Sequence, residues 1–509
     1  VGGFHLYRRD KPDGTSFITS FDPESPAVLL PTAEWHSDQF DPLQYGIDIN
    51  PSQPFFIQWK HLSLQTPRPT IMSDPSSENS DYALYSLCLK NCYFTYGGGW
   101  NENLIYCDEC CYGKNCIDGT YDVRNEWCYE TLLCLDCSHV AYSERCTACL
   151  NAVFCLGCKN CSDCFGCVNL QRRKFCFMNE QLDETAYRER LASIHLDDAD
   201  EMDYWRKKIQ EELWDKAYRN AYENHGSENA EGDQIVDSRF VFGFNIIQCE
   251  RAYQINSIGL SRDITDSTLG TEMERSANSL NTAQSYDIKM CSYTVGCIDM
   301  EYCELCFNCE HCFGCIGLKR KKYCIANVQY TEEEYAKKVD DIKCAMLERG
   351  EYGDFFPYET SLFAYNASHA DAEYPLGEED VKKLGQRWYS FAQEKNAPAE
   401  SIDALPKKLS ETTDAILQKL FRCPVSGRAF RITKNELAFH RQFNLALPRL
   451  DPAVRRNRRQ QAIPLHLNEQ QCAACQKKVW TIYQPERRLA LLCEACWAEK
   501  MEQGDLFFV

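Results

Sequence analysis

Cys155-Leu-Gly-Cys158-Lys-Asn-Cys161-Ser-Asp-Cys164-Phe-Gly-Cys167-Val-Asn-Leu170 sets a cysteine or a leucine at every third residue. Extended outward, this frame runs from Cys92 to Leu170, 27 positions among which Asp122 is the only charge. Continued to Cys176, it carries 15 of the 17 cysteines between Cys88 and Cys176, with Cys88 and Cys111 standing off it. A second frame of 27 positions, Phe240 to Leu318, holds no charge, and all nine cysteines from Cys249 to Cys324 fall on it when it is continued to Cys324. In a chain with 26% charged residues such columns mark a buried face. Both frames break at the same relative place, Arg173 and Lys321.

A period of 12 overlies the triplet. Asn91, Asn103, Asn115, Asn151 and Asp163 are 12 or a multiple of 12 apart, as are Cys92, Cys116, Cys128, Cys164 and Cys176. Fixed-period self-similarity marks a solenoid, whose coils bury their inner face only against their neighbours. A 12-residue coil is narrow, so its lumen admits small side chains, and cysteine serves there as a small buried hydrophobe. Coils should stack at about 4.8 Å, the ordinary inter-strand spacing. A strand alternates with period two, so a coil built on triplets has to turn often. Frame positions such as Cys128, Cys158, Cys164, Ile258, Cys306 and Cys312 are therefore expected in the core. A string of zinc knuckles built from pairs such as Cys146/Cys149 is the rival reading. Knuckle ligands come in fours between loops, whereas this spacing runs on through Ala152, Val140, Thr294 and Met300.

A gapless shift of 148 residues lays Cys161-x-x-Cys-Phe-Gly-Cys167 on Cys309-x-x-Cys-Phe-Gly-Cys315, and Asn179, Gln181 and Tyr187 on Asn327, Gln329 and Tyr335. The two blocks are an internal duplication, each running into a helix. Thr331 and Glu334 form a capping box, Tyr335, Val339, Ile342 and Met346 one face, and Gly350 the stop. In the first copy Asp183 takes the cap position, and Trp205, Ile209, Leu213 and Ala217 form the face of a longer helix. Both helices are expected to cover open solenoid ends.

Cys472-x-x-Cys475 and Cys493-x-x-Cys496, seventeen residues apart, carry a zinc-ribbon signature. Four thiolates on two knuckles make a closed tetrahedral site of structural type, with zinc as the expected metal. Val479-Trp-Thr-Ile-Tyr483 and Leu489-Ala-Leu-Leu492 read as its strands. A shift of 462 residues lays Thr481, Tyr483, Pro485, Glu486 and Trp497 on Thr19, Phe21, Pro23, Glu24 and Trp35. The ligand positions then fall on Asp10, Asp13, Pro31 and Glu34, so the N-terminal copy is expected to be metal-free. Cys423-Pro-Val-Ser426 reads as half a knuckle with one thiol lost and no second pair downstream, folding as a hairpin.

The chain of 509 residues has a net charge of −20. From residue 421 onward there are 15 Lys/Arg against eight Asp/Glu, so the excess acid lies in the rest. Arg449, Arg455, Arg456, Arg458 and Arg459 sit beside the ribbon and point to contact with phosphate in nucleic acid or the ribosome. A dock for the chain's own acidic body is the competing reading. No stretch has the 18 or more apolar residues of a membrane span. The Cys₄ ribbon and a chain too large to need staples favour a reducing cytoplasm with mostly free thiols, although cysteines on adjacent coils, such as Cys155 and Cys167, would lie within disulfide range.

Further motifs complete the chain: Asp41-Pro-Leu-x-Tyr-Gly-x-Asp, Gln53-Pro-Phe-Phe, Ser77-Glu-Asn-Ser-Asp-Tyr, Cys164-Phe-Gly-Cys-Val-Asn-Leu170, Phe355-Phe-Pro, Ala364-Tyr-Asn and Tyr374-Pro-Leu. In this order, closing on a basic ribbon, they resemble uncharacterised cysteine-rich zinc-ribbon proteins of candidate-phylum (Patescibacteria-type) bacteria. The resemblance spans nearly the whole chain. It departs from the pattern in the missing thiols around Asp10 and Asp13 and at Ser426, and it implies architecture without an activity.

The expected fold is mainly β with helical caps. Residues 1–78 form a metal-free ribbon and linker, 79–179 the first cysteine-rich solenoid, 180–232 a helical cap, and 233–327 the second solenoid. Residues 328–420 form a cap and linker helices, 421–465 a degenerate knuckle with the basic segment, and 466–509 the zinc ribbon. No catalytic constellation or phosphate-binding glycine loop is present; Gly97-Gly-Gly99 lies inside a coil. The expected function is a non-enzymatic zinc-binding scaffold or adaptor, engaging ribosome or nucleic acid at its basic end or a protein partner on the solenoid faces. The alternative is a metal-handling or thiol redox protein whose lumen thiols take Cu(I), Zn or a cluster.

Overall fold

The computed structural model describes residues 5–10, 13–74, 76–108, 110, 112–120, 129–132, 141–144, 150–222, 224, 226–228, 231–236, 241–247, 252–259, 267–271, 274–277, 279–283, 285–390, 398–462 and 467–508. The architecture is mixed α/β. Many short strands form one eight-stranded sheet, two of six strands and several smaller ones. Ten α-helices accompany them among the described residues: α1 (Thr32–His36), α2 (Phe55–Gln65), α3 (Glu184–Ala192), α4 (Ala199–Glu212), α5 (Glu332–Arg349), α6 (His369–Glu373), α7 (Glu378–Lys383), α8 (Lys434–Phe443), α9 (Pro452–Ala462) and α10 (Glu494–Gln503). The expectation of a mainly β chain overlooked how much of the segments outside the cysteine frames is helical.

In the cysteine-rich segments most strands pair in parallel with partners twelve residues on, as in Cys164↔Cys176 and Met300↔Cys312, while Glu231–Val236 and the start of Val241–Ile247 pair eleven residues on. The bridges Glu78↔Lys90, Asp81↔Tyr93, Leu84↔Tyr96 and Leu87↔Gly99 carry that offset through four successive triplets. Backbone dihedrals explain the triplet. Tyr82, Tyr85, Cys88, Asn91 and Phe94 have φ between 46° and 59°, and Tyr302, Leu305, Asn308 and His311 repeat the pattern. A left-handed residue turns the chain sharply, so one in every three makes four corners in twelve residues. The residue after each corner faces inward: Cys92, Cys158, Cys164, Cys306 and Cys312 are all buried. Cys128 lies outside the described residues, and Ile258 is described by its backbone alone. Left-handed φ costs about 1–2 kcal/mol for a non-glycine residue, and parallel hydrogen bonds on all four sides offset that cost.

Each segment ends in a short antiparallel return, Cys176↔Gln181 and Cys324↔Gln329. The Asn179 amide accepts from the Val168 N–H (2.8 Å) and donates to the Val168 carbonyl (3.1 Å), and Asn327 does the same with Ile316 (2.8 and 2.9 Å). These side chains supply the partner that a further paired strand would have offered.

The helix after each segment starts as the sequence predicts. Asp183 accepts from Ala186 N, and the Thr331/Glu334 capping box is complete. Tyr335, Val339, Ile342 and Met346 pack into one cluster, and Gly350 closes α5 at φ 70°. The first copy differs from expectation, because α4 ends at Glu212 and a 3₁₀ turn, Trp214–Lys216, follows. Ala217 therefore leaves the helix, although it stays buried beside Ile209 and Trp214.

Two helices sit on matched glycines of the duplicated segments. A Cβ on Gly166 would meet Ile209 of α4 at 2.9 Å, and one on Gly314 would meet Phe55 of α2 at 3.1 Å. The chain leaves each helix in the same way. Arg68–Pro69 pairs in parallel with Leu29–Leu30, and Arg219–Asn220 pairs in parallel with Leu491–Leu492. Both arginines are buried and hold carbonyls two and five residues back: Arg68 donates to Thr66 O (2.6 Å) and Ser63 O (3.5 Å), Arg219 to Ala217 O (3.0 Å) and Trp214 O (2.8 Å). Each terminal module thus touches the end of one segment and the start of the other. Trp35 packs in one cluster with Leu84, Tyr85 and Leu305. The Asn169 amide donates to Tyr218 O (2.9 Å), and the strand Lys478–Thr481 lies against Glu231–Val236.

Candidate metal centre

The C-terminal hairpin pairs Asn468–Gln471 with Lys478–Thr481. Beyond Gln471 the Cys472 N–H donates to Lys477 O (2.9 Å) and the Gln476 N–H to Cys472 O (2.9 Å), with Gln476 at φ 60°. This turn aims the N–H groups of the knuckle at sulfur. The second knuckle is a helix start: Cys493 is the N-cap of α10, and its carbonyl accepts from Trp497 N (2.8 Å). Cys472, Cys475, Cys493 and Cys496 converge with their four Sγ atoms within 4.8 Å of one another, Cys475 and Cys493 at 3.7 Å. A tetrahedron with metal–sulfur bonds of about 2.3 Å has edges of about 3.8 Å, so the group can hold a metal ion.

Burial raises the Cys472 thiol, but the N–H groups of Cys475, Cys493 and Ala474 outweigh it and bring the pKa to about 6. Cys493 is pushed up by burial, and Cys496, sharing hydrogen bonds with Cys475 and Cys493, rises to about 12. One thiolate forms readily here, while four adjacent thiolates need a cation to offset their repulsion. All four positions go to protein ligands, which suits a structural centre.

The N-terminal module repeats this frame with different chemistry. Its hairpin pairs Tyr7–Asp10 with Ser16–Thr19, and Thr19 Oγ1 accepts from Phe21 N at 3.2 Å as Thr481 Oγ1 does from Tyr483 N. The Trp35 N–H donates to Pro31 O (2.9 Å) as that of Trp497 does to Cys493 O. The register corrects one assignment. Asp10 pairs with Ser16 where Gln471 pairs with Lys478, so the turn is one residue shorter and Asp10 replaces Gln471, not Cys472. Asp13 accepts from the N–H and hydroxyl of Thr15, Pro31 caps α1, and Asp10, Asp13 and Glu34 are exposed.

The C-terminal arginines are placed against expectation. Arg455 ion-pairs with Asp118 (2.6 Å) and Glu436 (2.8 Å), Arg456 with Asp108 (2.5 Å), and Arg459 with Asp118 (3.0 Å), every partner buried. Arg455 also lies over the Tyr106 ring and Arg456 over Tyr96, both at 5.1 Å. Arg449 donates to the carbonyls of Leu405 (2.9 Å) and Ile402 (2.7 Å), which leaves Arg458 as the exposed member of the five. Three of the five guanidinium groups are therefore engaged by buried acids of the same chain. Their spacing on α9 turns these three groups to one face, toward acids of the first cysteine-rich segment. Sequence reasoning weighed an intramolecular dock but named neither Asp108 nor Asp118, which lie far off in sequence.

Inside the segments, thiols hydrogen-bond to backbone. The Cys303 Sγ–H is within reach of Glu301 O (3.3 Å) and Cys312 O (3.4 Å), and the sulfur accepts from Cys315 N (3.3 Å). Ser80 and Ser285 accept the same twelve-residue N–H bond at cysteine-like positions, from Cys92 (3.0 Å) and Cys297 (3.1 Å). Burial pushes the Cys92 and Cys176 thiols up to about 11 and raises Cys155 and Cys303 as well. Hydrogen bonds from neighbouring thiols pull Cys161 and Cys309 down.

No helix among the described residues is long and apolar enough to cross a membrane. Compared with known proteins, the chain matches no family model, no curated protein and no solved structure.

Proposed function

We propose that this protein is a non-enzymatic scaffold: two cysteine-lined β-solenoids of twelve-residue coils, laid side by side and clasped at their ends by ribbon modules, the C-terminal one holding zinc. The observation that carries this reading is the four-sulfur cluster of Cys472, Cys475, Cys493 and Cys496 within 4.8 Å, in a module tied to one segment through Asn169 and to the other through Glu231–Val236. A closed Cys₄ centre adds folding energy and leaves no position for substrate. Twelve-residue parallel registers and a corner at every third residue support the solenoid reading. The rigid outer faces of the coils are then the surfaces offered to a protein partner. Backbone hydrogen bonding of the lumen thiols supports a packing role for them over metal handling or redox exchange.

Elemental analysis of the full chain, with and without Cys472→Ser and Cys493→Ser, tests the reading. One zinc per chain, lost in the variants, is the expected result. A metal content that survives both substitutions, or several metals per chain, would place metal in the lumen and favour the handling reading.

A further inference from the structure

The half-knuckle at Cys423 has its missing half, 25 residues downstream of Ser426. Its hairpin pairs Arg422 with Ala429 and Phe421 with Phe430, which are Gln471↔Lys478 and Gln470↔Val479 shifted by 49 residues on both strands. The Cys423 N–H donates to Arg428 O (2.9 Å) and the Gly427 N–H to Cys423 O (3.0 Å), the knuckle bonds of Cys472. Gly427 is left-handed at φ 71°, as Gln476 is at 60°. Ser426 thus stands where Cys475 stands. The second knuckle follows at the start of α9. Arg455 N donates to Asp451 O (3.1 Å) as Trp497 N does to Cys493 O, so Asp451 matches Cys493 and Val454 matches Cys496. Asp451 and Cys493 are equally buried, each 4% exposed.

The decisive contact lies between the two knuckles. In the C-terminal ribbon Cys475 and Cys493 face each other across the metal position at 3.7 Å. At the corresponding positions the Ser426 hydroxyl donates to the Asp451 carboxylate, whose other oxygen accepts from Ala453 N (3.0 Å) and Val454 N (3.1 Å) at the start of α9. Helix α8 is inserted between the knuckles, which separates them in sequence and hides the pattern.

We infer that residues 421–462 are a further ribbon, closed by the Ser426–Asp451 hydrogen bond where the C-terminal ribbon is closed by metal, and that three positions separate it from a working metal site. The helix it starts is the one carrying Arg455, Arg456 and Arg459 into the first cysteine-rich segment. Closure without metal makes that docking independent of metal supply, whatever the C-terminal ribbon binds.

The test installs the absent thiols in the full chain, Ser426→Cys with Asp451→Cys and Val454→Cys, in a background carrying Cys472→Ser and Cys493→Ser. Cobalt(II) is the probe. The expected result is one cobalt per chain with the intense thiolate-to-cobalt absorption of a tetrahedral sulfur site, against none in the background alone. A folded variant that takes up no cobalt overturns the inference. Should the variant not fold, amide exchange in the natural chain decides between the same outcomes. Asp451→Ala is expected to speed exchange at the start of α9 at least tenfold, and Asp451→Asn, which keeps an acceptor for Ser426, to restore most of the protection. Equal exchange in both variants overturns it. Zinc binding by the C-terminal ribbon enters neither readout, so failure of that reading is distinguishable from failure of this one.

Discussion

The N-terminal and C-terminal modules share a hairpin, a parallel strand pair, a short helix and a buried tryptophan, yet close in different ways. Four sulfurs converge at one end. At the other, the Trp35 indole donates to Pro67 O (3.0 Å) under Lys319, and Phe21 stacks on Phe363 at 4.5 Å. Buried Asp22 takes both Arg387 nitrogens at 3.1 and 2.8 Å. The N-terminal module recruits the segment around 355–390 to do with aromatic area and an ion pair what a cation can do with four bonds. The same backbone arrangement can thus be closed by different chemistries, and each leaves a different vulnerability.

The largest effect expected is on the metal side. Cys472→Ser or Cys493→Ser should abolish metal binding and forfeit a folding contribution on the order of 10 kcal/mol, the scale of structural zinc sites. Elemental analysis with thermal unfolding would register it, and a strong chelator should reproduce it in the natural chain. The N-terminal module should ignore the chelator. Trp35→Ala should instead cost about 3–5 kcal/mol through the cavity it leaves, in denaturant unfolding with metal still bound. A chelator effect on the protection of Trp35 would dissolve the distinction between the two modules.

The module at 421–462 supplies a third term, closed onto its neighbour by buried charge. Arg455→Ala removes the buried cation that Asp118 and Glu436 share and should cost about 3–5 kcal/mol. Because the pair is buried, added salt should change that cost little. His440, fully buried near Arg455, has its pKa lowered to about 3, first by burial and then by that guanidinium. The folded state therefore holds it neutral while the unfolded state protonates near 6.5. Stability from this group is fully present above pH 6.5 and declines as pH falls toward 3, by about 2 kcal/mol at pH 5. His440→Gln should flatten that part of the pH–stability curve. The smallest effect belongs to the buried cysteine cluster. Cys303→Ser keeps an acceptor for Cys315 N and should cost less than about 1 kcal/mol, with Cys303→Ala roughly 1 kcal/mol worse.

Much of this was legible because periodicity is local. The triplet frame, the period of 12, the duplication and the four thiols could all be read by counting, and Thr331, Asp183 and Gly350 cap their helices as their types demand. What escaped reading depended on distance in sequence or on backbone geometry. Nothing near Arg455 announces Asp118, over 300 residues earlier. A turn one residue shorter moved Asp10 off the ligand column, and an inserted helix separated Ser426 from Asp451. The left-handed corners were invisible because Tyr, Phe and Leu, which occupy many of them, are poor candidates for positive φ on their own.

Those corners also constrain how the chain can change length. Among the described residues at positive φ there is no valine, isoleucine, threonine or proline, the types that tolerate it least. Losing or gaining one residue would push the inward column onto the corners and the corner residues into the buried interior, for every triplet downstream at once. Whole triplets, and more safely whole twelve-residue pairing steps, are the units in which such a segment can lengthen or shrink. Length changes within a cysteine block are then expected in those steps, whereas the 148-residue shift between the two blocks, a multiple of neither three nor twelve, takes in the helices α3 and α4 that lie between them.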